Sequence, residues 1–413
     1  MIKNLKDIKV SNYFTFLLVV ILFGQLIRNL LFGYEKKTWN ISEFLINYEG
    51  GYVRRGLLGQ LLLWLFNYLG VVPYYLIICI CFLSLFFLII YFFLNFQKNN
   101  FPIIYLASIL FFSNVIVNDF WVRKDIIILN VFILIVFLDK KRNVILQLFK
   151  YLLIIIGALI HESIIFLLIP YLFVKTTSLI KLKNRALLFD SGINLSLAIF
   201  LLLFNTLNKG NELIVSKIKN SWNGVYFPYD TRVDESIDAV DAIGWDLMTG
   251  LRYTFKTLLN FDNGIYAPLV ILITILVVFL LLYSIPLRNN KSERKRQAIM
   301  VYSIVQFLAV LPLFLLGWDY ARWFFLWTAS TMILVFNSDI QIVEYIVDKH
   351  KISMGKIKFI CDKFIFSNNN YLLLFILGIP AYSWNLLQYV KTTSAFLIIN
   401  KISLVILMIR NSF

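Results

Sequence analysis

Cysteine is scarce, with three residues in 413. Cys79 and Cys81 stand in C-x-C spacing inside an apolar stretch with no histidine beside them, and Cys361 is alone. This excludes a disulfide framework and a zinc site. Negative charge is the second shortage: 39 Lys and Arg face 23 Asp and Glu, a formal net charge of +16. In a soluble chain that excess would point to nucleic acid. In a membrane protein, basic residues collect in cytoplasmic loops and set orientation. Asp139-Lys140-Lys141-Arg142 and the run Lys291 to Arg296 fit the second pattern, so nucleic acid is excluded as a partner. Also lacking are a small-residue cleavage site after the first hydrophobic run, a repeat at fixed period, and a stretch composed like a separate soluble domain.

What is abundant is apolar surface. The chain is 60% hydrophobic and 17% aromatic, with a mean hydropathy of +0.79. A soluble domain is about half apolar, so the expected fold class is all-α, a polytopic integral membrane protein. Hydrophobic runs predict spans over Tyr13–Phe32, Pro73–Phe96, Phe101–Val117, Ile126–Leu138, Leu187–Phe204, Ile265–Leu287, Gln297–Leu316, Phe324–Phe336, Tyr371–Leu387 and Ala395–Ile409. The block Ile145–Val174 is long for one helix and basic at both ends, which predicts a hairpin of two short helices with its tip at His161. Leu57–Leu69 falls short of the roughly 20 residues a span needs and is expected to lie in the interface or re-enter. The total is about 12 crossings in one transmembrane domain, 1–413. Lys3, Lys6 and Lys9 place the N-terminus in the cytoplasm, which makes 33–56 and 205–262 external loops and 337–370 a basic cytoplasmic segment.

The polar residues fall unevenly along this framework. Tyr48-Glu49-Gly50-Gly51-Tyr52-Val53-Arg54-Arg55-Gly56 puts a carboxylate, paired arginines and close-approach glycines in the first external loop. Arginine's planar fork matches phosphate oxygens, so an anionic headgroup at the membrane surface suits this stretch. On the same predicted face fall Asp119, Arg123 and Asp125, then His161 and Glu162, then Asp319 and Arg322. Ionisable residues at membrane depth are expensive and usually face a polar cavity, so these four groups and the large loop 205–262, five distant groups on one side, predict a shared external site. Each also has a plainer reading. Arg54 and Arg55 can anchor a helix end at headgroups, Glu49 can pair with them, and Asp125 can cap its helix. His161 can be a satisfied core histidine, and Asp319 with Arg322 can be a local pair. A carboxylate beside His161 would instead tune it for acid–base work. The acidic residues Asp230, Asp234, Glu235, Asp238, Asp241 and Asp246 lack EF-hand spacing and read as a solvated loop face.

Two motifs support a resemblance. Trp121-Val122-Arg123-Lys124-Asp125 opens a span, a basic turn follows, and then comes Gly157-Ala158-Leu159-Ile160-His161-Glu162-Ser163. This arrangement, over about Phe101 to Phe173, resembles the EpsG-type and Wzy-type bacterial polysaccharide polymerases. The layout is also similar to the GT-C glycosyltransferases, whose first external loop carries a carboxylate followed by an interfacial helix. The resemblance implies a GT-C-like, multi-pass protein of the bacterial cytoplasmic membrane. It would be a glycosyltransferase that polymerises polyprenyl-pyrophosphate-linked oligosaccharides at the external face. Its implied partners are the lipid-linked substrate, the bilayer and a chain-length regulator protein; no metal or cofactor is required. His161 or Glu49 would be the base, with Glu162 orienting His161. Arg54, Arg55, Arg123 and Arg322 would hold the pyrophosphate, with Asp119, Asp125 and Asp319 beside them. The alternatives are a GT-C transferase using a polyprenyl-phosphate sugar, and a flippase of lipid-linked sugars.

Overall fold

The computed structural model describes residues 16, 19, 20, 22–28, 30–108, 110–141, 143–229, 238–262, 267–285, 292–317, 319–337, 342, 343, 345 and 346. The expected spans Tyr371–Leu387 and Ala395–Ile409, nearly all of segment 337–370, Cys361, the N-terminal lysines, and Asp230, Asp234 and Glu235 lie outside the described residues.

Among the described residues there are helices and no strands. The chain enters through α1 (Leu22–Phe32). It continues through the short α2 (Trp39–Ser42) and a 3-10 turn, η1 (Glu43–Leu45). Helix α3 (Leu57–Leu69) is the short apolar helix expected there; it ends at Gly70 in the left-handed conformation, φ 66°. Pro73 opens α4 (Pro73–Lys98), at a position where its missing N–H costs nothing. After α5 (Ile104–Ala107), α6 (Phe112–Val117) and α7 (Lys124–Leu138), the chain reaches α8 (Val144–Ile160) and α9 (Ser163–Lys181). Then follow α10 (Arg185–Leu207), α11 (Glu212–Ser221), α12 (Ala239–Ile243), α13 (Leu247–Asp262), α14 (Ala267–Ser284), α15 (Ser292–Leu316) and α16 (Tyr320–Phe336).

Among the described residues, four helices are long and apolar enough to cross a membrane: α4, α9, α10 and the Arg294–Leu316 part of α15. Seventeen-residue α16 is buried along its whole length from Tyr320 to Val335. A helix apolar on every side belongs at the centre of a bundle, and α16 packs against α15, α7 and α6. The hairpin expectation holds locally. His161 leaves the helix at φ −163°, ψ 130°, and splits the block into α8 and α9. The legs close at their far end, where Lys150 of α8 and Lys175 of α9 both pair with Asp139 at the end of α7.

One expected span is interrupted. Phe101–Val117 is not a continuous helix but the two short pieces α5 and α6, with Ser108 extended (ψ 174°) and Phe111 at φ −131°, ψ −113° between them. An open backbone is tolerated at membrane depth only where protein covers and satisfies it. Helix α16 does both: Thr328 Oγ1 donates to the Leu110 carbonyl at 2.6 Å, and its Ala321 carbonyl accepts from Asn114 Nδ2 at 2.6 Å. The described residues of the 205–262 loop include the helices α11, α12 and α13. Trp222 Nε1 donates to the Leu45 carbonyl at 2.7 Å, and the Ala239 N–H donates to Ser42 Oγ at 3.1 Å, so α11 and α12 are stitched onto α2 and η1.

Candidate functional site

The site is built around a residue in η1. Glu43 is 2% exposed and flanked by Ile41, Phe44, Leu45 and Ile46, all buried. Helix α3 approaches this turn so closely that a Cβ at Gly59 would overlap the Ile46 carbonyl oxygen. The glycine lets the backbones meet, and the apolar neighbours hold the turn inside the bundle with its carboxylate turned toward four other segments.

Those segments arrive at one end of the bundle. Glu43 Oε1 lies 3.1 Å from His161 Nε2, 3.7 Å from Arg322 NH2 and 4.0 Å from Arg55 NH1, while Oε2 lies 3.4 Å from Arg123 NH1. Arg322 also pairs through Nε with Asp125 and through NH1 with Asp319 at 3.0 Å. Arg123 NH2 reaches Asp319 at 3.9 Å. Arg55 forks onto both oxygens of Glu162, with Nε 2.7 Å from Oε2. Arg54 NH1 is 3.5 Å from the same carboxylate. Four guanidiniums (Arg54, Arg55, Arg123, Arg322) thus face four carboxylates (Glu43, Asp125, Glu162, Asp319), with Lys124 donating to the Arg55 carbonyl at 2.8 Å. The positive Arg322 sits in the first turn of α16, where the helix dipole disfavours a cation, so its three carboxylates are needed to hold it there.

Burial would raise the pKa of Glu43, but Arg322, His161 and Arg123 outweigh it and hold the carboxyl well below its ordinary value. The same opposition acts on Glu162, where Arg55, His161 and Arg54 win over burial. His161 is lowered, by burial first and Arg55 second. Its Nδ1 accepts the Ser163 N–H at 3.0 Å, so the neutral ring carries its proton on Nε2, toward Glu43 but off the ideal hydrogen-bond direction. Nδ1 is therefore committed to the protein, while Nε2 faces Glu43 Oε1 without a well-aligned hydrogen bond. Glu162 does not orient the ring: its oxygens belong to Arg55 and Arg54, and its nearest approach to His161 is 3.9 Å.

Of the residues singled out in sequence, Arg54, Arg55, Arg123, Asp125, His161, Glu162, Asp319 and Arg322 come together. Glu49 and Asp119 stand apart from this network. Glu49 is exposed and accepts from Gln60 at 3.1 Å. Asp119 takes a positive φ of 59°, and its carbonyl accepts from Asn40 at 2.8 Å. Its carboxyl is pushed up to about 6 by burial, against the pull of Arg28. Sequence reasoning passed over Glu43, although a lone carboxylate within Ile41-Ser42-Glu43-Phe44-Leu45-Ile46 was a signal. In the large loop, Asp238 and Asp241 form the capping box of α12, and Asp246 accepts the Thr249 N–H at 2.6 Å.

The glycines of the arginine loop serve packing: Gly56 lies against the Tyr48 ring and Gly50 against Ile214 of α11. Exposure is confined to one side. The Arg54 and Arg55 side chains are 30% and 24% exposed, against 2% for Glu43 and 4% for Arg123. Several buried polar atoms facing this cluster have no protein partner: Arg54 Nε, Arg123 Nε, Asp125 Oδ1 and Ser163 Oγ. A polar interior with spare donors, opening through two arginines, can take up an anion and hold it with charge-assisted hydrogen bonds.

A second buried network lies at the other end of α7. Lys150 pairs with Asp139 at 3.3 Å and with Asp190 at 2.8 Å, and Tyr151 donates to Asp190 at 2.7 Å. Asp125 and Asp139 are 14 residues apart on one helix, or about 21 Å at about 1.5 Å per residue. That is shorter than a hydrocarbon core of about 30 Å. No family model matches the chain, and no curated protein or solved structure shows significant similarity to it.

Proposed function

We propose that this protein is a glycosyltransferase that polymerises polyprenyl-pyrophosphate-linked oligosaccharide repeats at the external face of the bacterial cytoplasmic membrane. The observation that carries the reading is the convergence of Arg54, Arg55, Arg123 and Arg322 on one buried cluster that opens through Arg54 and Arg55. The reading includes a multi-pass topology of about 12 crossings with the cluster outside, as the basic turns at the other end favour. In the reaction an acceptor sugar hydroxyl attacks the anomeric carbon of the lipid-linked chain. The anomeric C–O bond to pyrophosphate breaks, the new glycosidic bond forms, and the acceptor proton leaves to a base.

The main catalytic demand is charge on the departing pyrophosphate, which fixed guanidiniums meet without reorganising. Arg54 touches the leaving group, and Arg55 stands behind it, fixed by Glu162. Glu49, the accessible carboxylate of the same loop, takes the proton. His161 is a positioning residue: its Nε2 faces Glu43, which in turn sets Arg55, Arg123 and Arg322. Deleting the gene in its own cell and sizing the lipid-linked glycans tests this. Single repeats accumulating on the carrier support polymerisation.

A second reading is favoured by one feature. Glu43 is a buried carboxylate in the same loop as Glu49, ahead of the short helix α3, and the GT-C resemblance implies a functional acid in that loop. A monosaccharide transferase of that kind predicts full-length glycan lacking one branch in the deletion strain. Unchanged chemistry with lipid-linked units stranded in the cytoplasmic leaflet contradicts both and leaves a flippase.

A further inference from the structure

We infer that the outer face of α10 is the seat of the lipid chain of the same substrate, reached from the arginines by a ladder of aromatic rings. The inference rests on the reading that the arginine cluster binds a lipid-linked phosphate. The ladder starts inside the arginine loop. Tyr48 stacks on Tyr52 with centroids 5.5 Å apart and planes within 16°. Tyr52 packs on Phe204 of α10 at 4.9 Å, and Phe204 stacks on Phe200 at 6.1 Å. Polar contacts hold the two segments in register: Tyr52 Oη donates to Asn205 Oδ1 at 3.0 Å, and the Arg54 N–H reaches the Asn208 carbonyl at 3.4 Å. Tyr52 is close enough to Glu162 for that carboxylate to raise its phenol above the ordinary value, after burial.

The ladder ends at a groove. Phe189, Gly192, Ile193, Ser196, Leu197 and Phe200 line an open, mostly apolar depression of about 540 Å³. Their spacing follows the i, i+3, i+4 pattern, so they form one stripe along α10. Phe189 is 74% exposed and Phe200 61%, while Gly192 has open space where a Cβ would stand. Phe189 and Phe200 stand at the two ends of this stripe, with Gly192 and Ser196 between them on the same helix face. From Phe204 to Phe189 is 15 residues, or about 22 Å of track at about 1.5 Å per residue.

An occupant of this surface must carry an anion at one end and a long flexible apolar chain at the other. Cationic patch, amphipathic tyrosines and apolar groove occur in that order along a continuous path. The match is to a long-chain polyprenyl phosphate or pyrophosphate lying with its head at Arg54 and its tail along α10. A ring ladder suits such a chain because flat faces pack against a methyl-branched, unsaturated chain over a large area at little conformational cost.

The test uses full-length protein in detergent and measures binding of undecaprenyl monophosphate, geranyl monophosphate and a long-chain phosphatidic acid. The variants are Gly192→Phe, which fills the groove where space is open, and Arg54→Ala. Expected is tighter binding of the undecaprenyl than of the geranyl ester. Gly192→Phe should lower the first by about tenfold and leave the second unchanged, while Arg54→Ala should weaken both. If Arg54→Ala weakens both esters but Gly192→Phe changes neither, the tail site is wrong and the headgroup reading stands. If neither ester binds in an Arg54-dependent way, the headgroup reading fails and the tail site falls with it. Equal, groove-dependent binding of phosphatidic acid makes the face an ordinary lipid contact and overturns the inference. A shift in oligomeric state with Gly192→Phe, with isoprenyl binding intact, assigns the face to a second copy and overturns it too.

Discussion

The imidazole Nε2 of His161 lies 3.1 Å from Oε1 of Glu43, across 118 residues of chain, while its Nδ1 accepts the Ser163 N–H. This contact joins the 33–56 loop to the turn between α8 and α9. Three arginines from three other segments meet the same carboxylate.

Removing that charge should be the most damaging single change. In Glu43→Gln the partners Arg123 and Arg322 remain buried without their shared counter-charge, and breaking such a cluster costs about 3–5 kcal/mol. Glu49→Gln, at an exposed site, should change stability by less than about 0.5 kcal/mol while lowering glycan transfer. Thermal unfolding of both variants in detergent, beside glycan profiles, checks the contrast. Equal melting temperatures would remove Glu43 from the centre.

The adjacent arginines should separate by readout. Arg55→Ala strands the nearly buried Glu162 carboxylate and should destabilise by about 3 kcal/mol. Arg54, more exposed and 3.5 Å from the same group, should cost under about 1 kcal/mol when changed to alanine. Denaturation curves should rank Arg55→Ala far below Arg54→Ala, and the reverse ranking would exchange their roles.

Acid should weaken the fold through His161 before it reaches the carboxylates. The folded histidine is held below its ordinary value of 6.5, so between the two values the unfolded chain binds the extra proton. Stability is therefore complete above about 6.5 and declines as pH falls below it. Glu43 and Glu162 are depressed from 4.5, so their stabilisation is present above 4.5 and is lost only at lower pH. Asp119 works in the opposite sense. Its carboxyl, raised from 3.8 to about 6, makes stability decline as pH rises through that window. Melting temperatures from about pH 7 to about pH 5 should fall less in His161→Gln than in the parent, and more in Asp119→Asn. An unchanged slope in His161→Gln would show that the ring does not gain its proton on unfolding.

Backbone contact rather than charge makes Gly59 sensitive. A Cβ there meets the carbonyl oxygens of Ile46 and Phe44, neither of which can swing away. Gly59→Ala should cost about 1–3 kcal/mol and displace η1, lowering activity even at temperatures where the protein stays folded. Gly250→Ala in α13, facing open space, is the matched control and should lower neither measure.

The parts legible in the sequence were those where charge interrupts apolar runs. Arg54, Arg55, Arg123, Glu162 and Arg322 were visible because ionisable groups at membrane depth need partners, and the partners proved to be one another. The break at His161 could be read from the length of the block around it. Glu43 was hidden by its neighbour Glu49, whose glycine and arginine company looked more distinctive but which faces solvent. The failure of Phe101–Val117 to form one helix was not legible. Besides the local Ser108, the side chain that bonds its open backbone is Thr328, more than two hundred residues away. Nor were Lys150 and Asp190 visible as a pair, since helix packing alone brings them together.

The most direct test of the central claim is the size distribution of lipid-linked glycan from cells carrying Arg54→Ala, with normal protein abundance and melting temperature confirmed. If guanidinium contact with the leaving pyrophosphate drives polymerisation, single repeat units should accumulate on the carrier and the long-chain ladder should disappear. An unaltered ladder from a folded Arg54→Ala protein would contradict it.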